Sequence, residues 1–147
     1  MNLRFLLPLL LLAACSKYPH SVEFTHTGCA SETKAETAFK SELILEYTAD
    51  GLAVTRTNAL MNCSLKEYGL TCESSISGNT VHYAVYETAG PSADCICRVE
   101  RMSSTVPGLR EDTEYILEYV CDGAFIPINF RYHKGLRMTL DADLYRE

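Results

Sequence analysis

From Leu43 onward, apolar and polar positions alternate with a period of two, the signature of half-buried strands. Leu43, Leu45 and Tyr47 share one face, and Asp50-Gly51 then turns the chain in the manner of a tight hairpin. Leu52, Val54 and Arg56 alternate with Ala53 and Thr55. Residues 70–77 form a further strand-like run, and Gly78-Asn79 turns it into Val81, Tyr83 and Val85, which alternate with His82, Ala84 and Tyr86. Residues 95–106 read as another strand, ended by Pro107-Gly108. Tyr115, Leu117, Tyr119 and Cys121 line one face of the next. Asp122-Gly123 turns the chain into Ile126, Ile128, Phe130 and Tyr132, and Lys134-Gly135 is expected to close a last hairpin into Leu136, Met138 and Leu140. Pro127 cannot donate to a ladder and predicts an edge position for its strand. Short strands near ten-residue spacing, without a 3.6-residue period past residue 42, predict an all-β fold. The expected architecture is an antiparallel β-sandwich, Ig-like in the broad sense, of seven to nine strands over 43–147. A closed barrel is the alternative.

Upstream the pattern changes. Residues 16–28 are polar, contain Pro19 and have no period, which predicts a tether holding the domain about 20 Å from its attachment point as a flexible chain. Residues 30–42 are rich in Ser, Thr, Glu, Ala and Lys, and Thr33 with Glu36 has capping-box spacing for a short helix. The first fourteen residues are different again. Arg4 precedes an apolar run over 5–12, and Ala13-Ala14 then leads to Cys15, the order of a secretory signal. The run is too short to cross a bilayer as a helix, which takes about 20 residues.

Leu12-Ala13-Ala14-Cys15 resembles the lipobox of bacterial lipoproteins. The resemblance implies acylation of the Cys15 thiol, cleavage before it, and acylation of the new amine, with the chain held to the membrane by its acyl chains. Several chains make such attachment lasting, at about 0.8 kcal/mol per buried methylene. Ser16 stands where an aspartate would imply inner-membrane retention, so the outer membrane of a Gram-negative envelope is the expected location, with the periplasmic or surface side open. Residues 1–14 are then the signal peptide and 15–42 the lipidated cysteine and tether.

Removing Arg4 from 13 basic residues leaves 12 against 19 acidic, a net charge of −7 for the mature chain. An acidic chain without a basic cluster is a poor ligand for nucleic acid. It gains nothing from anionic lipid either, so attachment must come from the anchor. Of seven cysteines, Cys15 is taken by the anchor. Cys29, Cys63, Cys72, Cys95, Cys97 and Cys121 remain as disulfide candidates, an even number in an exported chain. A metal site is disfavoured, because no Cys-x2-Cys spacing and no His pair is present. In a strand, Cys95 and Cys97 project to one face with Cα atoms roughly 6.5 Å apart and parallel Cβ vectors, which strains a direct bond between them. The expected pairing joins Cys72 to Cys121, while Cys95 and Cys97 take Cys63 and Cys29. A redox-active Cys-x-Cys would need a thioredoxin-like βαβ context, and none is visible.

Asn58-Ala59-Leu60-Met61-Asn62-Cys63, Gly78-Asn79-Thr80, Cys95-Ile96-Cys97 and Gly108-Leu109 resemble a pattern of uncharacterised small lipoproteins of gut Bacteroidetes, over residues 43–120. That pattern runs Asn-Cys-Cys, Gly-Asn-Thr, Cys-x-Cys and Gly-x-Tyr, and this chain departs from it at Ser64. The resemblance implies a lipoprotein and carries no activity.

The chemistry-bearing residues do not assemble into a known catalytic set. No phosphate loop, dinucleotide fingerprint, nucleophile elbow or zinc-protease helix is present, and no cofactor is implied. Ser31 and Lys34 have Ser-x-x-Lys spacing without the companion elements of penicillin-recognising enzymes. His20 and His26 fall in the tether and His133 in a turn, while His82 reads as a solvated strand histidine. Glu111, Asp112 and Glu114 lack calcium-loop spacing and read as a solvated loop. Among nine tyrosines, Tyr83, Tyr115 and Tyr119 belong to core faces, while Tyr68, Tyr86 and Tyr145 are candidates for exposure and recognition. The absence of Trp weakens a carbohydrate-binding reading. The expectation is a lipid-anchored, non-catalytic binding module of the cell envelope, with a protein or glycan partner. An envelope hydrolase with a loop-built site and a purely structural lipoprotein are the alternatives.

Overall fold

A computed structural model describes residues 20–30, 39–64, 69–88, 94–121 and 123–145, with the side chains of His20 and Ser21 excepted. The signal segment, Cys15, Thr33 with Glu36, Ser31, Lys34 and Tyr68 lie outside the described residues. Eight strands of five residues or more carry the fold: β4 (Glu42–Thr48), β5 (Gly51–Asn62), β6 (Leu70–Ser77), β7 (Thr80–Glu87), β8 (Ile96–Val106), β9 (Thr113–Cys121), β10 (Ala124–Tyr132) and β11 (Arg137–Asp141). Three short strands precede them, β1 (His20–Ser21), β2 (Phe24–His26) and β3 (Cys29–Ala30), and a 3-10 turn over Ala142–Tyr145 follows.

The strands form two sheets, which pack around one core. The first sheet has the order β1-β6-β7-β9-β10, and the second β11-β4-β5-β8-β2, with β3 also on β8. The all-β sandwich expected from the alternation is the fold observed. One pair departs from antiparallel: β7 and β9 run parallel, with Val81 opposite Leu117 and Val85 opposite Cys121. Their connection passes through β8 in the other sheet, the kind of crossover that parallel neighbours require. The predicted inward sets fill the core. Leu43, Leu45, Val81, Tyr83, Val85, Leu117, Tyr119, Ile126 and Phe130 are all buried. Polar contacts between the sheets fix their stacking. Tyr132 Oη donates to the Thr48 carbonyl at 3.1 Å, which places β10 over β4. Tyr83 Oη is hydrogen-bonded to Ser104 Oγ at 2.6 Å, which places β7 over β8.

Pro127 lies where its ring does no harm. The two-residue turn between Cys121 and Ala124 makes those residues a hydrogen-bonded pair. Alternation then makes Glu118 and Pro127 a non-bonded pair, so the Pro127 nitrogen faces away from β9. Among the described residues β10 is the edge of its sheet, and Pro127 blunts that edge against strand addition. Gly51 is required at its turn for another reason. Its φ is +144°, and a Cβ there would collide with the Val106 carbonyl oxygen.

Four expectations are corrected. The sandwich begins before residue 43: β1 pairs with β6, and β2 and β3 pair with β8. Part of the expected tether is therefore sheet, and short polar strands of two or three residues leave no periodicity to read. Lys134-Gly135 does not close a hairpin, because β11 pairs with β4 in the opposite sheet. Alternation also breaks within β5 and β8. The buried set passes from Leu52, Val54 and Arg56 to Ala59 and Met61, and opposite it from Val106, Ser104 and Met102 to Val99 and Cys97. Asn58 turns the strand there with φ +50°. Its side chain accepts from Arg98 Nη1 and donates to the Lys40 carbonyl, each at 2.9 Å.

The fourth correction concerns Cys72 and Cys121. Two bridges form as expected, Cys29 to Cys97 and Cys63 to Cys95, with Cα separations of 5.5 and 5.6 Å. Cys72 and Cys121 are buried thiols and are not joined. The register gives the reason. Both residues are directly opposite Val85, on either side of β7. Two inter-strand spacings of about 4.8 Å separate them, beyond the Cα range of a disulfide.

Candidate interaction surfaces

The outer face of the β1-β6-β7-β9-β10 sheet departs from the polar exterior expected of a sandwich. Tyr86 (41% exposed), Ile116 (43%), Val120 (40%) and Phe125 (52%) all project from it. Register makes Tyr86, Val120 and Phe125 contiguous, since Ala84 stands opposite Val120, and Val120 opposite Phe125, while Ile116 lies apart from them beyond Glu118. Val120 and Phe125 form a non-bonded pair by the alternation that starts at the Cys121 and Ala124 pair, the arrangement with the closer side chains. Such clustering differs from the scattered apolar residues that any surface carries.

Through this face runs a polar row, Ser75, His82 and Glu118, in direct register across three strands and continued by Pro127 on the fourth. His82 Nδ1 lies 2.6 Å from Glu118 Oε2, with both side chains solvent-accessible. His82 is thus the exposed strand histidine expected, but it has a carboxylate partner contributed by the parallel strand. Glu73 and Glu114 lie on the same face. A hydrogen bond to the Glu73 carboxylate is the main cause holding the Tyr86 phenol above its ordinary pKa. Arg131 is 3.5 Å from Asp112, and its charge is offset there. The face thus combines an apolar centre with a carboxylate-rich rim. Among the described residues, Tyr86 is the one tyrosine expected to be exposed that falls on it, since Tyr145 lies in the C-terminal 3-10 turn.

A second feature is a groove of about 810 Å³ at the opposite edge of the sheets, between β6 and β8. The chain crosses from one sheet to the other at Val22 and Glu23, and both residues line it. Thr25, Ser74, Ser75, Ser103, Ser104 and Thr105 contribute hydroxyls, and Glu23 and Asp50 are its charged residues. Ser74 and Ser104 were legible as exceptions, because each occupies an inward position between apolar neighbours. Ser104 Oγ is held by Tyr83 Oη and lies 3.9 Å from Cys72 Sγ. Ser103 Oγ is hydrogen-bonded to Thr55 Oγ1 at 3.0 Å. These hydroxyls are engaged with one another and with a phenol.

Beneath the groove the core holds an unusual set of polar groups. The ring of Tyr119 stacks on that of Tyr83 at 5.5 Å. Arg56, also buried, donates from Nε to Ser41 Oγ at 2.9 Å, and its guanidinium lies 5.9 Å from the Tyr119 ring centroid. Burial pushes both phenols well above the ordinary tyrosine range, and raises the Cys72 thiol also. The folded state therefore favours the protonated phenols, while unfolded tyrosine ionises near pH 10. Stability will be insensitive to these groups below that value and will fall above it, by about 1.4 kcal/mol per pH unit for each phenol. Urea unfolding between pH 8 and 11.5 checks this, and Tyr83→Phe should make the alkaline decline shallower.

The remaining candidates are dispersed. His26 Nδ1 accepts from the Gly28 amide, and His133 lies against the Lys134 carbonyl. Glu87 receives the Asn62 amide and the Ser64 hydroxyl, bracing the segment around Cys63. No protein-family model, curated protein or solved structure matches this chain.

Proposed function

We propose that this chain is a lipid-anchored protein of the bacterial cell envelope, held through acyl chains on Cys15, which acts by binding a protein partner across the outer face of the β1-β6-β7-β9-β10 sheet. The observation that carries the binding reading is the contiguous set Tyr86, Ala84, Val120 and Phe125 on a face that a free sandwich would keep polar. The carboxylates Glu73, Glu114 and Glu118 around it favour a partner with an apolar centre and a basic rim. The absence of Trp from the chain and the mixed aliphatic character of the face favour protein over glycan.

The lipoprotein, extracted with mild detergent from its own envelope, should co-elute with one protein at near-stoichiometric ratio. Val120→Asp and Phe125→Asp each place a charge where the chain is exposed, so stability should change by only about 0.5 kcal/mol. Either substitution should weaken the complex at least about 30-fold if the face is its centre. Co-elution unchanged by both substitutions would exclude this face.

A further inference from the structure

We propose that the groove between β6 and β8 binds an amino sugar, a protonated amine carried on a hydroxylated ring. The proposal does not rest on the reading of the outer sheet face. It starts from Ser74, which occupies an inward position on β6, opposite Tyr83, and is only 5% exposed. The enclosed polar atoms without partners among the described residues are Arg56 Nη1 and Tyr119 Oη. The Ser74 hydroxyl has no partner among the described residues either, and it lines the groove, so it is open to that space. An inward hydroxyl left without a partner forgoes the hydrogen bonds that water would give it, and an apolar residue would fill the position at lower cost. Ser104 on β8 is the second such position. It is 6% exposed, it also lines the groove, and its Oγ is held by Tyr83 Oη at 2.6 Å. Two nine-tenths buried hydroxyls thus form the deep part of a space of about 810 Å³, within the range of about 300–1,000 Å³ usual for small-ligand sites.

The lining selects the ligand class. A serine or threonine hydroxyl both donates and accepts, so it matches a ligand hydroxyl in either role. Ser75 and Thr105 bring two more hydroxyls without partners among the described residues. Ile76, Val106 and Pro107 supply apolar surface, suited to the C–H face of a sugar ring. Charge then narrows the choice. Glu23 and Asp50 line the groove, no Lys, Arg or His does, and neither carboxylate is in an ion pair among the described residues. A phosphate, sulfate or uronate would meet carboxylates and no cation, whereas a protonated amine meets its complement. An alkyl amine would answer the carboxylates and leave Ser74 unpaired. A neutral sugar would answer Ser74 and leave the carboxylates unpaired. An amino sugar answers both.

The test is calorimetric titration of the full-length protein, in mild detergent, with the β-1,4-linked disaccharide of glucosamine. Its N,N′-diacetyl form keeps the rings and loses the charge, and 1,4-diaminobutane keeps the charge and loses the hydroxyls. The glucosamine disaccharide should bind at least about tenfold more tightly than either. Ser74→Ala removes no hydrogen bond made among the described residues, so Tm should hold while affinity falls about fivefold. If that variant fails to fold, Thr105→Ala carries the same test at the rim. Glu23→Gln combined with Asp50→Asn should remove the preference for the free amine over the acetamide. No saturable binding of the glucosamine disaccharide overturns the proposal. So does equal affinity for the diacetyl form, since the carboxylates then select nothing. Diaminobutane binding as tightly overturns it too, because the groove then reads charge without hydroxyls. Full affinity in folded Ser74→Ala places the ligand elsewhere and overturns it equally.

Discussion

Reduction of both disulfides will destabilise the domain by about 4–7 kcal/mol, a large part of the roughly 5–15 kcal/mol by which native domains are stable. Cys29–Cys97 closes a separation of 68 residues and Cys63–Cys95 one of 32. In the chain-entropy account either loop alone is worth about 4 kcal/mol. The second lies inside the first, so the two will not add in full. Their placement raises the effect. Cys29–Cys97 ties the short β3, with only two ladder residues, to β8. Cys63–Cys95 joins the chain just beyond β5 to the entry of β8, next to the ladder pair Asn62 and Ile96. Cys95 is exposed and Cys97 buried, so a mild reductant should open Cys63–Cys95 first. Guanidinium titration with and without reductant measures the loss. Thiol labelling of the unfolded, unreduced mature domain should find two reactive cysteines besides Cys15, Cys72 and Cys121, and six after reduction. Labelling of neither would mean a third bridge that the strand register forbids.

Cys15→Ser will release the protein from membranes. The apolar run over 5–12 is too short to hold a chain across a bilayer, and the mature chain, at −7, is repelled by anionic lipid. On the proposed anchoring, attachment depends on acyl chains, and each methylene lost from lipid removes about 0.8 kcal/mol. With no acylated thiol, the membrane fraction should fall at least tenfold on washing, and mass spectrometry should find no diacylglyceryl adduct. Persistent membrane association would refute the lipobox reading.

The core was legible because alternation survives wherever a strand buries one face. Tyr115, Leu117 and Tyr119, or Ile126, Ile128 and Phe130, sit as the period demands. The pattern failed where the backbone itself changes parity, at Asn58 with its positive φ, and where a strand is too short to alternate, as in β1 to β3. It cannot state which strands are neighbours. Lys134-Gly135 has the composition of a hairpin turn but carries the chain between sheets, and Cys72 and Cys121 have matching burial but flank Val85. Of the candidate surface, Tyr86 and His82 could be picked out from sequence. The partnership of His82 with Glu118 could not, because it depends on the parallel pairing of β7 with β9. Val120 and Phe125 carried a signal of their own, as apolar residues at the outward positions of strands whose inward positions were already apolar.

A photo-reactive amino acid at position 125, in the native envelope, tests the central claim most directly, with the same group at Thr139 on β11 as the comparison. The account predicts one discrete adduct of near-stoichiometric yield from position 125, weakened by high salt and by Val120→Asp, and none from Thr139. Equal adducts from both positions, or none from position 125, would contradict binding through this face.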